Sequence, residues 1–473
     1  MVSKKQVKQV LRQSFDSYES CFDVIMCLKF YRKNKLEIGT LTNGLVNFQF
    51  VMAQQLYELE HLYRIIKKEF KEVNKNRNRL SKTYFKRRIS ILSKYLEAID
   101  SSILIGKSLG NAFTWFFYQF DQNLLVKHMN EERNFHPSYG SGAIAEIEFL
   151  KRALISKGRY LLLYHGICDM LRIGDFSVID LKTFRVNEVV ELKSQKIDAT
   201  HYNLSLYCYG KSKSFIGPEN IKIASHVCEF MEGKVYKERL QRQIKRIKNL
   251  MKDQKLKKDH RPVISSQSYL PELINKVEKC KIGETKHVKL GDGLIVNYSK
   301  ICKDFLPLKQ VEGLKILEPN RNVMYQMINS TMTQYKELNY TLFGPILYHN
   351  NTIIYHPGTM PLIWYQVDTT LLRDLYFGRI CLTTIYNPAV FVLELSSIKY
   401  KYKIEDRELI IFRPTNGQNL ILKDYMYFVD LVSIYFIKES TVSSLLNESV
   451  KYIEKNRITN AKVEIQINTL VDI

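Results

Sequence analysis

No C-x-x-C pair and no cysteine–histidine cluster at zinc-ligand spacing occurs in this chain, although cysteine stands at 21, 27, 168, 208, 228, 280, 302 and 381. That excludes the common structural zinc modules and a dithiol redox centre. The closest pair, Cys21 and Cys27, falls on apolar helical positions and reads as two small buried thiols of a reduced, cytoplasmic protein. The opening residues, MVSKKQVKQVLRQSF, lack the apolar core of a secretory leader. The most apolar run, Ala112 to Val126, is interrupted by Asp121 and is too short to span a bilayer, so a buried helix is expected there. Glycine and proline are scarce before His136-Pro137-Ser138-Tyr139-Gly140, which argues against a turn-rich β architecture upstream. Acid is in short supply: 48 Asp and Glu face 71 Lys and Arg, a net charge of +23. That balance favours an anionic polymer as partner, nucleic acid before a membrane surface. An AT-rich genome, which favours lysine, asparagine, isoleucine and tyrosine, is the plain alternative source of the charge.

With 473 residues, 45% of them hydrophobic and 25% charged, the chain has the make-up of a folded protein of two or three domains. Residues 1–135 read as a helical region, with Leu56, Leu59, Tyr63 and Ile66 at helical spacing. Two basic helices there, one including Lys67 to Lys75 and one from Lys82 to Lys94, flank an exposed basic loop, Asn74 to Arg79. Arg87 and Arg88 are candidate nucleic-acid contacts, a solvated hairpin being the alternative. Ile105-Gly106-Lys107-Ser108 looks like the end of a phosphate-binding loop. Ser101 stands where the first glycine of G-x-x-x-x-G-K-[ST] belongs, so no nucleotide site is expected. Residues 231–262 read as a strongly basic helix or linker. Its apolar stripe is Leu240, Ile244, Ile247 and Met251, and Lys245, Arg246 and Lys248 lie off that stripe, as phosphate contacts would. Residues 263–473 alternate short apolar runs with turns, which predicts an α/β or β-rich C-terminal domain. Strands are expected at Thr352–Tyr355, Val390–Leu395 and Leu409–Phe412, and a helix near Ser443–Lys455. His349 and His356 have no acidic or cysteine neighbour and predict no metal site. The sequence assigns this domain no role.

The chemistry concentrates between residues 136 and 230. Leu171 to Gln195, LRIGDFSVIDLKTFRVNEVVELKSQ, reads as strand, turn, strand. Gly174-Asp175 opens the first strand. In the second, alternation puts Glu191 and Lys193 on one face and Val190 and Leu192 on the other. A carboxylate and an ammonium on an apolar strand cost desolvation energy unless something uses them. Upstream, Ser141 to Lys157 reads as a helix with Ala143, Ile147, Leu150 and Leu154 as its apolar stripe. Glu146 borders that stripe, while Glu148 lies near Lys151 and Arg152 as a solvated ion pair. Downstream, His201 to Tyr209 reads as a second core helix.

This helix–strand–strand order resembles the core of the PD-(D/E)XK, restriction-endonuclease-like nuclease superfamily over about residues 140–210, in a bacterial branch of it. The resemblance implies an α+β core within a multidomain chain and a metal-dependent endonuclease that hydrolyses phosphodiester bonds. Mg²⁺ (or Mn²⁺) would be held by Asp175, Glu191, the Leu192 carbonyl and Glu146, since a hard cation takes oxygen ligands. Lys193 would position the attacking water and stabilise developing charge. DNA is the favoured substrate, and defence against phage or mobile elements would suit such a chain. A competing register exists: Asp169 with Asp180-Leu181-Lys182 resembles RecB-type nucleases, with the hairpin turning at Ile173 to Asp175. The Glu191 set is preferred because its strand is the more apolar. The alternative function is a non-catalytic nucleic-acid-binding or regulatory protein on a degenerate nuclease fold. DNA against RNA, and homo-oligomerisation, stay open.

Overall fold

The computed structural model describes residues 2–34, 41–129, 160–182, 185–196, 202–208, 222–223, 267–300, 343–348, 361–364, 369–397, 401–405, 408–412, 420–422, 426–433 and 435–455, with single positions within 144–150, 241–250 and at 329. The chain is mixed α+β and divides into two compact units. One is residues 1–258 with 356–361 and 473; the other is 259–355 with 362–472. The helical region and the sheet of the resemblance fall in the same unit.

The first unit begins with three long helices, α1 (Lys4–Lys33), α2 (Thr42–Lys75) and α3 (Lys82–Phe117). Few breakers interrupt them, so propensity and an apolar stripe act together. On α1 the buried stripe is Val7, Leu11, Tyr18, Phe22, Ile25 and Leu28. Cys21 lies within it, but Cys27 is exposed, because its position is rotated off the stripe. The hairpin of α2 and α3 follows the two basic helices expected from sequence. Ser81 caps α3 by accepting from Tyr84 N (3.3 Å). Phe48 of α2 stacks on Phe113 of α3 with ring centroids 4.2 Å apart.

The apolar run Ala112–Val126 is not one helix. Helix α3 stops at Phe117, and Gln119 (φ 53) and Phe120 (φ 59) adopt the left-handed conformation. Phe120 N bonds back to Trp115 O at 3.0 Å, closing the helix end. Asp121 then caps α4 (Gln122–Met129) by accepting from Leu124 N at 3.0 Å. The break falls at residues 119–121, where Gln119 and Asp121 interrupt the apolar run.

A five-stranded sheet follows in the order β1 (Tyr160–Tyr164), β2 (Phe176–Asp180), β3 (Arg185–Lys196), β4 (Tyr202–Cys208), β5 (Lys222–Ile223). The first four run antiparallel, and β5 runs parallel to β4. The helix expected over 201–209 is instead strand β4. It pairs residue for residue with β3, from Lys196↔Tyr202 to Val190↔Cys208. The period of two in Tyr202, Leu204, Leu206, Cys208 outweighs any helical pattern over so short a run. On the outer side of β1, Gln49 of α2 takes the place of a neighbouring strand. Its Nε2 donates to Leu162 O (2.9 Å), and its Oε1 accepts from Tyr164 N (2.7 Å).

The second unit holds α5 (Leu270–Glu278), α6 (Thr369–Tyr376), α7 (Ala389–Ser397), α8 (Met426–Ser433) and α9 (Glu439–Lys455). Its strands are β6 (Thr285–Leu290), β7 (Leu294–Lys300), β8 (Phe343–Tyr348), β9 (Ile380–Tyr386), β10 (Lys401–Glu405), β11 (Glu408–Phe412) and β12 (Leu420–Leu422). They form an antiparallel sheet β6-β7-β9-β8 and another, β10-β11-β12. The strand expected at Leu409–Phe412 and the helix expected near Ser443–Lys455 are β11 and α9. The strand expected at Val390–Leu395 lies inside helix α7. Asn387 accepts from Ala389 N (3.0 Å), and Pro388 follows it, a helix-start signal that the apolar run masks. The strand expected at Thr352–Tyr355, with His349 and His356, lies outside the described residues. Tyr269, just before α5, donates to Glu439 of α9 (2.6 Å). Among the described residues, no helix is long and apolar enough to cross a membrane.

Two glycines show how tightly α3 is packed. A Cβ at Gly110 would lie 2.0 Å from Ile167 O, a backbone atom, whereas a Cβ at Gly44 in α2 would meet nothing within 4 Å. Gly110→Ala should therefore destabilise the chain by about 1–3 kcal/mol or more. Gly44→Ala should stabilise it by up to about 1 kcal/mol through helix propensity. Urea denaturation of the two variants checks the opposite signs.

Candidate active site

The connection from β1 to β2, residues 165–175, is mostly buried, so its backbone groups need partners inside the protein. Helix α3 supplies two. Lys107 Nζ donates to Gly166 O (2.7 Å), and Asn111 Oδ1 accepts from Asp169 N (3.0 Å). Lys107 is thus buried in mid-helix with its Nζ engaged by the loop backbone. From the same connection, Arg172 donates to Met129 O at the end of α4 (2.7 Å).

The connection ends at Gly174 and Asp175. Gly174 is left-handed (φ +73), and a Cβ there would lie 2.6 Å from Val189 Cγ1, so the turn needs glycine. Asp175 N donates to Val190 O (2.8 Å), and Asp175 Oδ2 accepts from Leu192 N (2.8 Å). The aspartate is therefore held against the β3 main chain on both sides of Glu191. Glu191 is only 3% exposed. By strand alternation it shares a sheet face with Val189, whose partner across the ladder is Ser177. Lys193 lies in β3 opposite Ser205, and its side chain lies outside the described residues.

On that same face runs a buried polar chain that nothing in the sequence pattern announces. His165 Nδ1 lies 2.9 Å from Gly174 O, and His165 Nε2 lies 2.7 Å from Ser177 Oγ. Ser177 Oγ is 2.7 Å from Tyr118 Oη, which is 3.0 Å from His128 Nε2. Both histidines and Ser177 are wholly buried. Burial pushes the Tyr118 phenol well above its ordinary value, so it stays protonated. These residues are far apart in sequence; the only local hint is a histidine directly after an apolar strand.

The other expected site residues fall as follows. Glu146 accepts from Tyr164 Oη (2.7 Å), and the register partner of Tyr164 is Phe176, on the sheet face opposite Ser177 and Glu191. Phe149 packs edge-on against Phe176, with centroids 5.1 Å apart. Among the described residues, no three His, Cys, Asp or Glu side chains gather as a metal-holding group. The competing register is separated in space. Asp169 sits in the β1–β2 connection, while Asp180 ends β2 opposite Tyr160 and caps the next turn by accepting from Lys182 N (2.9 Å).

Lys245 and Arg246 are exposed in a helical segment whose Ile247 and Leu250 are buried; Lys248 lies outside the described residues. Arg87 is exposed, but Arg88 is a tether within the unit. It is paired with Glu69 (Nε–Oε1 2.9 Å) and donates to Val2 O (3.2 Å). Burial opposes ionisation of Glu69, yet hydrogen bonds from Val2 N and Arg88 outweigh it and hold that carboxyl below its ordinary range. Sequence alone could not distinguish Arg87 from Arg88, because the difference is a contact with α2.

Comparison with protein-family models, with curated proteins and with solved structures yields no match for this chain.

A second buried acid stands near the connection. Burial raises the Glu60 carboxyl from 4.5 to about 7, against the pull of Lys107 and Arg64. Because the folded value is the higher one, the folded state holds a proton that the unfolded state has released. Glu60 therefore costs stability as pH rises from about 4.5 to about 7, and the cost is complete above that. Glu60→Gln should gain stability relative to wild type between pH 5 and pH 8, by on the order of 1–3 kcal/mol. Denaturation curves at the two pH values check it; a constant difference would contradict the assignment.

Proposed function

We propose that the first unit is a Mg²⁺- or Mn²⁺-dependent nuclease with a restriction-endonuclease-like core, acting on DNA more readily than RNA. The observation that supports it best is the seat of Asp175. An acid at the mouth of one strand is hydrogen-bonded to the amide of Leu192, the middle residue of Glu191-Leu192-Lys193 on the next strand. This bond supports the reading because it sets Asp175 against the strand that carries Glu191 and Lys193.

The donor set suits a hard cation: two carboxylates next to a strand carbonyl, with no sulfur or imidazole among them. Asp175, Glu191 and the Leu192 carbonyl would hold the ion, which supplies an acidified water and neutralises charge on the phosphate. The Leu192 amide fixes the orientation of the Asp175 carboxylate. Burial of Glu191 keeps bulk water from competing for it. Lys193 follows on the same strand, and its ammonium would orient the attacking water and balance the charge of the leaving oxygen. Affinity would come from the exposed cations of the α2–α3 hairpin, Lys82, Lys86 and Arg87, and from Lys245 and Arg246.

One observation favours the non-catalytic alternative. Glu146 is taken up by Tyr164, leaving two carboxylates where the family pattern uses three. The two readings separate on plasmid DNA with Mg²⁺ or Mn²⁺ and an EDTA control. A nuclease cleaves; Asp175→Asn and Glu191→Gln abolish cleavage, and Lys193→Ala slows it by about 10²–10³-fold, all three still binding DNA. Binding without cleavage by the wild type would select the alternative.

Reversing Lys82, Lys86 and Arg87 to Glu should weaken DNA binding whatever the sequence. The slope of log affinity against log salt should fall by about one unit for each phosphate the variant no longer neutralises. An unchanged slope in a folded variant would remove the hairpin from the binding surface.

A further inference from the structure

The geometry points to His165 as the positioning residue that holds Asp175 in place, with Ser177, Tyr118 and His128 as the buried chain that fixes the His165 ring. The inference takes from the nuclease reading what Asp175 does; how Asp175 is held stands on distances alone.

His165 grips the Gly174–Asp175 turn twice. Its main-chain N–H donates to Asp175 O (2.9 Å), and its ring Nδ1 reaches Gly174 O (2.9 Å). A carbonyl can only accept, so Nδ1 carries a proton. In the neutral ring Nε2 is then an acceptor, and the rest of the chain follows. Ser177 donates to His165, Tyr118 donates to Ser177, and His128 Nε2–H donates to Tyr118. Every member is buried, so no water substitutes for a missing partner. The ring is fixed between the turn and the serine of β2. The turn in turn fixes the carboxylate, because Gly174 O is spent on His165 and Leu192 N is met by Asp175 Oδ2 instead of a ladder carbonyl. Tyr118 follows directly on α3, and its hydroxyl links the helix end to the sheet.

Two conservative substitutions separate this role from a merely structural one. His165→Asn keeps a donor at about the place of Nδ1; His165→Gln puts its amide at about the place of Nε2 and leaves Gly174 O without its donor. Both shorten a buried ring, so both lose some thermal stability. Only His165→Gln should release the turn. Hydrogen-exchange mass spectrometry of peptides from β3 reads the Leu192 amide directly. That amide should stay slow in wild type and in His165→Asn, and exchange about tenfold faster in His165→Gln. Mn²⁺ affinity, titrated on the full chain, should fall by about tenfold in His165→Gln and by less than about threefold in His165→Asn. Equal Leu192 exchange in the two variants overturns the inference. If the wild type binds no Mn²⁺ and cuts no DNA, the nuclease reading fails, and the exchange pattern still decides whether His165 holds Asp175. Should His165→Gln not fold, Ser177→Ala takes its place, since it removes the partner of Nε2. It should speed Leu192 exchange by at least about threefold, and an unchanged rate overturns the inference.

Discussion

A buried loop must find a partner for every amide and carbonyl it carries, and in this protein the connection between β1 and β2 finds them largely on side chains. Lys107 meets Gly166, Asn111 meets Asp169, and His165 meets Gly174. Desolvating a lysine is expensive, and Lys107 is 7% exposed. Its compensation is a short bond to a carbonyl and the nearby acid Glu60, whose own ionisation burial resists. The glycine at 110 lets α3 come within contact distance of the loop backbone, without which neither bond could form. Helix and loop are therefore one construction, and the turn that presents Asp175 is its last member.

This explains why the acid pair is placed by the fold and not by its own chemistry. Asp175 stands just before β2 and Glu191 lies within β3. Main-chain bonds to Val190 and Leu192 hold the first, and the β3 ladder holds the second. Glu191 shares its sheet face with Val189 and Ser177. The Tyr164–Glu146 bond, by contrast, removes an acid from that face.

Much of this is legible in the sequence, for identifiable reasons. The α2–α3 hairpin is readable because long breaker-free runs with a 3.6-residue stripe have few alternative readings. The β2–β3 hairpin is readable because β-branched residues alternate there. Strand β4 reads as a helix from sequence alone: at seven residues, Tyr202–Cys208 is too short for periodicity to discriminate. Helix α7 reads as a strand, since Val390, Phe391 and Val392 favour strands locally and the Asn387-Pro388 start signal outweighs them only in the folded chain. The Asp175–Glu191 relation can be anticipated because both residues belong to one hairpin. The chain from His128 to His165 cannot, because it joins α4, the end of α3, β1 and β2, and pairwise proximity across four elements leaves no periodic trace. The same limit separates Arg87, exposed, from Arg88, tied to Glu69.

Gln49 has a consequence beyond joining α2 to the sheet. The outer edge of β1 would otherwise present a bare row of donors and acceptors to any extended peptide. One glutamine amide, with a donor and an acceptor spaced like those of a peptide unit, occupies that row at Leu162 and Tyr164. A single side chain from a helix thus occupies this edge of the sheet, where an added strand would have to pair.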